Sequence, residues 1–190
     1  MSDETHEETT LVERARGGDA DAYGALVKRY SRDAVRVATA ITGSVGDAED
    51  AAQTAFVKAY LALDRFRAGA PVRPWLMRIV ANEAKNSRRS SQRRERLAER
   101  SHERYCVIAP SAEEGAIAGV TTTELLRAVA RLDHRDREVI AFRFFAEMSE
   151  AETALALDCA TGTVKSRLSR AMARLRTELA PAIPAAGGEG

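Results

Sequence analysis

Aromatic residues make up only 5% of this chain, and 190 residues include just three histidines and two cysteines. The cysteines, Cys106 and Cys159, have no CxxC partner and no histidine at ligand spacing. Neither a disulfide framework nor a zinc site is expected from them. His6, His102 and His134 fall in unrelated segments, with no nucleophile–base pair and no phosphate-cradling loop around them. A chain lacking those parts reads as a non-enzyme, with no cofactor. No apolar run reaches membrane length, and the acidic start is unlike a signal peptide. A cytoplasmic protein without membrane insertion is therefore expected. Alternating strand formers are scarce, which argues against sheet. The net charge of +1 excludes nothing by itself.

What the chain does have is long stretches of Ala, Leu, Arg and Glu, which favour helix. We read an all-α protein of two small helical domains, each with a modest core. Residues 1–10 read as a disordered acidic tail carrying Asp3, Glu4, Glu7 and Glu8. The first domain spans 11–99. A short helix with Leu11, Val12 and Ala15 stops at Gly17-Gly18. A long one from Asp19 to Thr42 places Tyr23, Leu26, Val27, Tyr30, Ala34, Val37 and Ile41 at helical spacing and ends at Gly43-Ser44. A third runs from Asp47 to Leu63. A polar loop, Asp64 to Arg73, precedes Pro74, which suits the first turn of a fourth helix reaching beyond Arg89.

Residues 100–120 contain Pro110, Ser111 and Gly115 and read as a flexible linker. Twenty residues extend to roughly 70 Å. The second domain, 121–180, places Leu125, Leu126, Val129 and Leu132 on one helix and Val139, Ile140, Phe144 and Phe145 on the next. Two shorter helices follow, Ser149 to Leu157 and Thr161 to Leu179. Ser149 with Glu152 is a capping-box pattern, and Asp158-Cys159-Ala160 forms the turn between the two. Residues 181–190 read as a flexible Ala/Gly/Pro-rich tail.

Charge is distributed unevenly. Lys85 to Arg104 holds eight Lys/Arg against three Glu, and Thr161 to Ala180 holds five against one. Two separate basic segments suggest two contacts with a polyanion, although solvated helix faces would look similar. The last two helices read as a helix-turn-helix. Projected at about 100° per residue, Val164, Leu168, Ala171 and Leu175 share an inner face. Gly162, Ser166, Ser169 and Ala173 centre the outer one, flanked by Lys165 and Arg170. Small residues at the centre admit a major groove, and the flanking cations can reach guanine edges. Arg167, Arg174 and Arg176 suit backbone phosphates. On the fourth helix Arg78, Asn82, Lys85 and Arg89 form a second stripe with Arg88 beside it. Trp75, Leu76, Ile79 and Val80 lie opposite, and Trp75 reads as core. On the third helix Ala48, Ala52, Ala55, Phe56, Ala59 and Leu63 make a packing face, while Asp50, Gln53, Thr54, Val57 and Leu61 lie outward. Val and Leu among polar groups fit either a protein partner or a helix packed on both sides.

These residues resemble a known family. Ala48-Glu49-Asp50-Ala51-Ala52-Gln53-Thr54-Ala55-Phe56 resembles the polymerase-binding helix of region 2 in bacterial sigma factors. Pro74-Trp75-Leu76-Met77-Arg78-Ile79 with Asn82 is similar to the adjoining promoter-melting helix. Gly162-Thr163-Val164-Lys165-Ser166-Arg167-Leu168-Ser169-Arg170-Ala171 is similar to the region 4 recognition helix. Three motifs in order match the extracytoplasmic-function (ECF, or group 4) subgroup of the sigma-70 family, over roughly residues 10–95 and 120–180. The resemblance implies a region 2 bundle and a region 4 helix-turn-helix joined by the linker. It implies that Asp50, Gln53, Thr54 and Val57 bind the clamp helices of core RNA polymerase. Arg78, Asn82, Lys85, Arg88, Arg89 and the Asp64–Arg73 loop would read the melted −10 element of promoter DNA. Thr163, Lys165, Ser166, Arg167, Ser169, Arg170 and Arg174 would meet the duplex −35 element. The apolar first helices of the second domain would grip the polymerase flap, and an anti-sigma factor is implied as a further partner.

The chain departs from the family pattern at four places. Thr54 stands where an acidic residue is usual, Asn86 for a frequent Asp, Asp158 for a common Gly and Thr153 for an Ile. Asp tolerates a left-handed backbone better than most residues. The competing reading is a one-component helix-turn-helix transcriptional regulator. It needs a sensor domain, and the Asp19–Arg89 half shows no ligand-pocket pattern.

Overall fold

The protein, seen here as a computed structural model, is described over residues 2–67, 69–100 and 121–180. Every regular element in those residues is helical. In order they are α1 (Ser2–Arg16), α2 (Ala20–Thr42), α3 (Val45–Ala62), a 3₁₀ turn (Leu63–Arg65) and α4 (Val72–Arg100). Then come α5 (Thr122–Arg131), α6 (His134–Ile140), a π-helical turn (Ala141–Phe145), α7 (Glu150–Leu157) and α8 (Thr161–Leu179). The expected linker lies, beyond Arg100, outside the described residues, as does the tail 181–190.

The acidic start is not a tail. From Ser2 it forms the first turns of α1. Val12 and Ala15 of this helix are buried, and Glu7 pairs with Arg29 of α2 at 2.6 Å. Arg14 and Arg16 in the last turn favour the negative end of the helix dipole. Composition alone pointed to a solvated segment; the apolar pair further along the same helix anchors it.

Local sequence explains the helix ends. The Asp19 carboxylate caps α2, accepting from the Ala22 N–H at 3.0 Å. Gly43 ends α2 with φ 79°, a left-handed conformation that glycine adopts freely. Ser44 then caps α3 by accepting from the Asp47 N–H. Thr121 with Glu124, and Ser149 with Glu152, form complete capping boxes at α5 and α7. Asp158 adopts φ 52° at the end of α7, the conformation its side chain tolerates.

The first bundle is built on small residues. Ala48, Ala51, Ala52, Ala55 and Ala59 of α3 are buried, and Ala34, Val37, Ala38 and Ile41 of α2 face them. Alanine lets α2, α3 and α4 approach closely. Leu76, Met77, Val80, Ala81 and Ala84 supply the face of α4. In the second half Val129, Leu132, Val139, Ile140, Val164, Ala171 and Leu175 form a separate core.

The two halves also share apolar packing. Ala141, Phe142, Ala146, Met148 and Ala156 belong to the core of the first bundle, and Phe145 and Leu157 touch both cores. The π-helical turn sets this up. Its wider winding places Ala146 N–H on the Ala141 carbonyl at 3.0 Å and delivers Phe142, 1% exposed, into the shared core. Periodicity counted at 3.6 residues per turn does not foresee such a turn.

Candidate functional site

Three helix faces carry the candidate residues. On α3, Asp50, Gln53, Thr54, Val57 and Leu61 are all exposed, so no second helix covers this side. Val57 is 60% and Leu61 74% exposed. Tyr60 joins them, its ring 4.9 Å from that of Tyr23. The Tyr23 hydroxyl donates to the Phe56 carbonyl at 2.5 Å, and burial pushes its pKa up to about 12. The face is thus an apolar strip between an acidic and an amide residue, backed by a tyrosine fixed to the helix. Val57, Tyr60 and Leu61 form an uncovered apolar strip on an otherwise well-packed helix.

The α4 stripe is divided. Asn82 and Arg89 are exposed. The other three cations reach the second half. Arg78 donates through Nε to the Ala156 carbonyl at 2.9 Å and through Nη2 to the Leu155 carbonyl. Lys85 pairs with Glu138 at 2.5 Å. Arg88 donates to the Thr42 carbonyl at 3.0 Å and to the Ala130 carbonyl at 2.7 Å. Burial lowers the pKa of Arg88, the nearby Glu95 opposing the shift. Arg137 of α6 runs the other way. It donates to Ile41 of α2 at 3.3 Å and to Ala130 and Leu132 at 2.9 and 2.6 Å. Burial, with Arg88 beside it, depresses Arg137 to about 10. The carbonyls involved are last-turn carbonyls of α2 and α5, which have no intrahelical donors. Two arginines satisfy them from opposite sides of the junction.

The loop before α4 is held by its neighbours. Arg16 donates to the Asp64 carbonyl at 2.9 Å. The Phe66 and Trp75 rings pack with centroids 4.7 Å apart, so Trp75 supports the loop from the core side. Gly69 turns the chain with φ 74°. Arg73 is bound by Asp33 at 2.7 Å, by Glu152 at 3.5 Å and by the Ala146 carbonyl.

The α8 face is open. Val164, Ala171 and Leu175 are buried, while Gly162, Lys165, Ser166, Ser169, Arg170 and Ala173 are exposed. Thr163 and Arg167 are half-buried at the edges. Arg170 Nε bonds the Ser166 carbonyl at 3.2 Å, and Lys165 makes only a 3.5 Å exposed pair with Glu150. Arg174 differs: Asp133 binds it at 2.8 Å, and Asp136 binds it as well. Its side chain is exposed, but its Nη1 is held by these two carboxylates.

Comparison with known proteins fits this layout. Residues 26–94 match Sigma-70 region 2, and residues 122–175 match Sigma-70, region 4. RNA polymerase sigma factor NccH of Alcaligenes xylosoxydans xylosoxydans is 33% identical over 178 residues, covering 92% of this chain and 95% of that one. The chain belongs to the sigma-70 family of RNA polymerase sigma factors. The ECF RNA polymerase sigma-E factor of Escherichia coli (strain K12) is 34% identical, with 91% of this chain and 94% of that one covered. Among solved structures, CnrH in complex with the cytosolic domain of CnrY matches 92% of this chain and 98% of its own. Its TM-score is 0.68 at 28% identity. RpoE in complex with the anti-sigma factor NepR, from Bartonella quintana, matches 82% of this chain and 97% of its own. There the TM-score is 0.61 at 26% identity.

This sigma factor is of the ECF type and directs RNA polymerase to promoters. Arg78, Lys85 and Arg88 lie in its region 2 match, while Ala130, Glu138, Leu155 and Ala156 lie in its region 4 match. The ties therefore run from one matched region to the other. Sequence reasoning missed this set. Backbone carbonyls carry no sequence signature, and Glu138 reads as an ordinary solvent-facing acid. The one available signal was the charged pair Arg137-Glu138 set directly before the apolar run Val139 to Phe142.

Proposed function

We propose that the sigma factor binds core polymerase through Asp50, Gln53, Thr54 and Val57 of α3. Arg78, Asn82, Lys85, Arg88 and Arg89, with the Asp64–Arg73 loop, read the melted −10 element. Thr163, Lys165, Ser166, Arg167, Ser169 and Arg170 meet the −35 duplex. It acts by binding rather than by catalysis, in the cytoplasm where the polymerase works. The observation that carries this reading over that of a lone DNA-binding regulator is the uncovered Val57–Leu61 strip on α3. A regulator that binds DNA unaided has no use for such a face on the half opposite its helix-turn-helix.

The −10 side needs a rearrangement. Three of the four cations on its α4 stripe are engaged with the second half. Single-stranded DNA along α4 would compete with the Leu155, Ala156 and Ala130 carbonyls and with Glu138 for the same donors. Separation of the two halves therefore precedes −10 reading. An anti-sigma partner that favours the joined arrangement would keep the factor silent. Support for such a partner is the likeness to RpoE solved with NepR.

The test is run-off transcription with core polymerase against a promoter library, beside a gel shift without polymerase. The reading expects transcripts from a defined promoter class and little shift by the free chain. Strong promoter-specific shifting without polymerase, and no stimulation of core, supports the regulator instead.

A further inference from the structure

Arg174 is a cation of α8 whose head is engaged inside its own domain. Its Nη1 donates to Asp133 Oδ2 at 2.8 Å and to Asp136 Oδ2. Asp133 is itself the cap of α6, its Oδ1 accepting from the N–H groups of Arg135 at 2.8 Å and Asp136 at 2.9 Å. The Asp136 side chain is only 6% exposed. Two carboxylates outnumber one guanidinium, so the group as a whole is anionic and a poor seat for a phosphate.

These bonds join α6 to α8 across 41 and 38 residues of chain. Apolar contacts from Val164, Ala171 and Leu175 bring α8 close to the domain, but such contacts have no direction. Charge-assisted hydrogen bonds do, and they set rotation and pitch. Arg174–Asp133 is exposed, as are the other ties on α8, Lys165–Glu150 at 3.5 Å and Arg131–Glu178 at 3.3 Å; of the carboxylates that hold α8, Asp136 is the buried one. Arg174 stands two turns beyond Ser166, about 12 Å along the axis. A pitch error of about 10° there moves Ser166 by about 2 Å, well outside the roughly 0.5 Å tolerance of a recognition site.

We propose that Arg174 is a positioning residue for −35 readout: anchored by Asp133 and Asp136, it fixes the attitude of α8 in the groove and does not clamp a phosphate. The proposal rests on the reading that α8 enters the major groove at the −35 element. Holoenzyme made with the full chain is measured on promoters with matched and altered −35 elements at several salt concentrations. The variants are Arg174→Ala, Arg174→Lys, Asp136→Asn and, as the phosphate comparison, Arg176→Ala. Arg174→Ala and Asp136→Asn are expected to reduce the matched-to-altered binding ratio about ten-fold with the salt slope unchanged, and Arg174→Lys to restore part of it. Arg176→Ala should weaken all sequences alike and reduce the slope by about one. A slope reduced by one in Arg174→Ala overturns the proposal, and so does an intact ratio in both variants. Asp136→Asn separates the ideas by sign. Freeing a phosphate clamp tightens binding to every sequence with the ratio intact, whereas loosening an anchor lowers the ratio. If Arg174→Ala loses its circular dichroism signal, Asp136→Asn alone decides. A wild-type holoenzyme with no −35 preference refutes the groove reading itself and not the role of Arg174.

Discussion

Helix α8 and the stripe on α4 carry the same kinds of side chain, yet their surroundings differ. On α8, Lys165, Ser166, Ser169 and Arg170 face solvent. On α4, Arg78 and Arg88 donate to carbonyls of the other half, and Lys85 is paired with Glu138. A guanidinium suited to phosphate is equally suited to the open carbonyls of a helix end, because both offer concentrated negative charge to a planar donor. A basic helix face can therefore be covered without any segment dedicated to covering it. Helix ends of the neighbouring domain suffice.

The largest effect should come from the core that the halves share. Phe142→Ala removes a ring that is 1% exposed and belongs to the first bundle's core. A loss of about 3–5 kcal/mol is expected in urea unfolding. Splitting of one transition into two would sharpen the comparison, because it would show that the halves hold together through this ring. A change under about 1 kcal/mol would break it.

Next comes the polar part of the junction. Glu138→Ala frees Lys85. The variant should bind a single-stranded −10 oligonucleotide several-fold more tightly by fluorescence anisotropy, while binding a −35 duplex as before. Equal gains on both DNAs would mean that lost negative charge, and not uncovering, is responsible.

A smaller effect should follow acidification. Burial alone would raise the Glu152 carboxyl, but the Ser149 N–H, the Ser149 hydroxyl and Arg73 outweigh it and hold the group below its ordinary value. The folded value lies below the unfolded one. The stabilisation is thus fully present above the unfolded pKa, about 4.3, and is lost as pH falls through the folded value. Thermal melts between pH 6 and 3 should show this decline, and Glu152→Gln should flatten it. The least effect is expected at Arg36–Glu147, a 3.2 Å pair between the halves with both side chains well exposed. Arg36→Ala should change stability by less than about 1 kcal/mol.

Much of this was legible in the residues. The α2 face from Leu26 to Ile41, the cap at Ser149, and the division of α8 into Val164/Ala171/Leu175 and Ser166/Ser169 follow from period and side-chain chemistry. The outward face of α3 was legible as a face, though not as an uncovered one, because periodicity cannot say whether a second helix lies outside it. Three things escaped. α1 begins at Ser2 because Val12 and Ala15, later in the helix, find a core. The turn at Ala141–Phe145 departs from the 3.6 period. The covering of α4 depends on main-chain acceptors at Ala130, Leu155 and Ala156, which any side chain there would equally provide.

The central claim is that region 4 covers the α4 face proposed to read the −10 element and must move away before transcription. A Cβ on Gly43 would lie 3.5 Å from the Cβ of Ala130, which joins α2 to α5 across the junction. That separation falls within the disulfide range of about 3.5–4.5 Å. Gly43→Cys with Ala130→Cys, in a chain carrying Cys106→Ser and Cys159→Ser, would lock the halves together. The left-handed backbone at Gly43 adds about 1 kcal/mol of strain. Promoter-dependent run-off transcription with core polymerase is then compared in oxidised and reduced samples of the same protein. The account predicts little transcript from the oxidised form and recovery on reduction; equal transcription from a fully oxidised sample would contradict it.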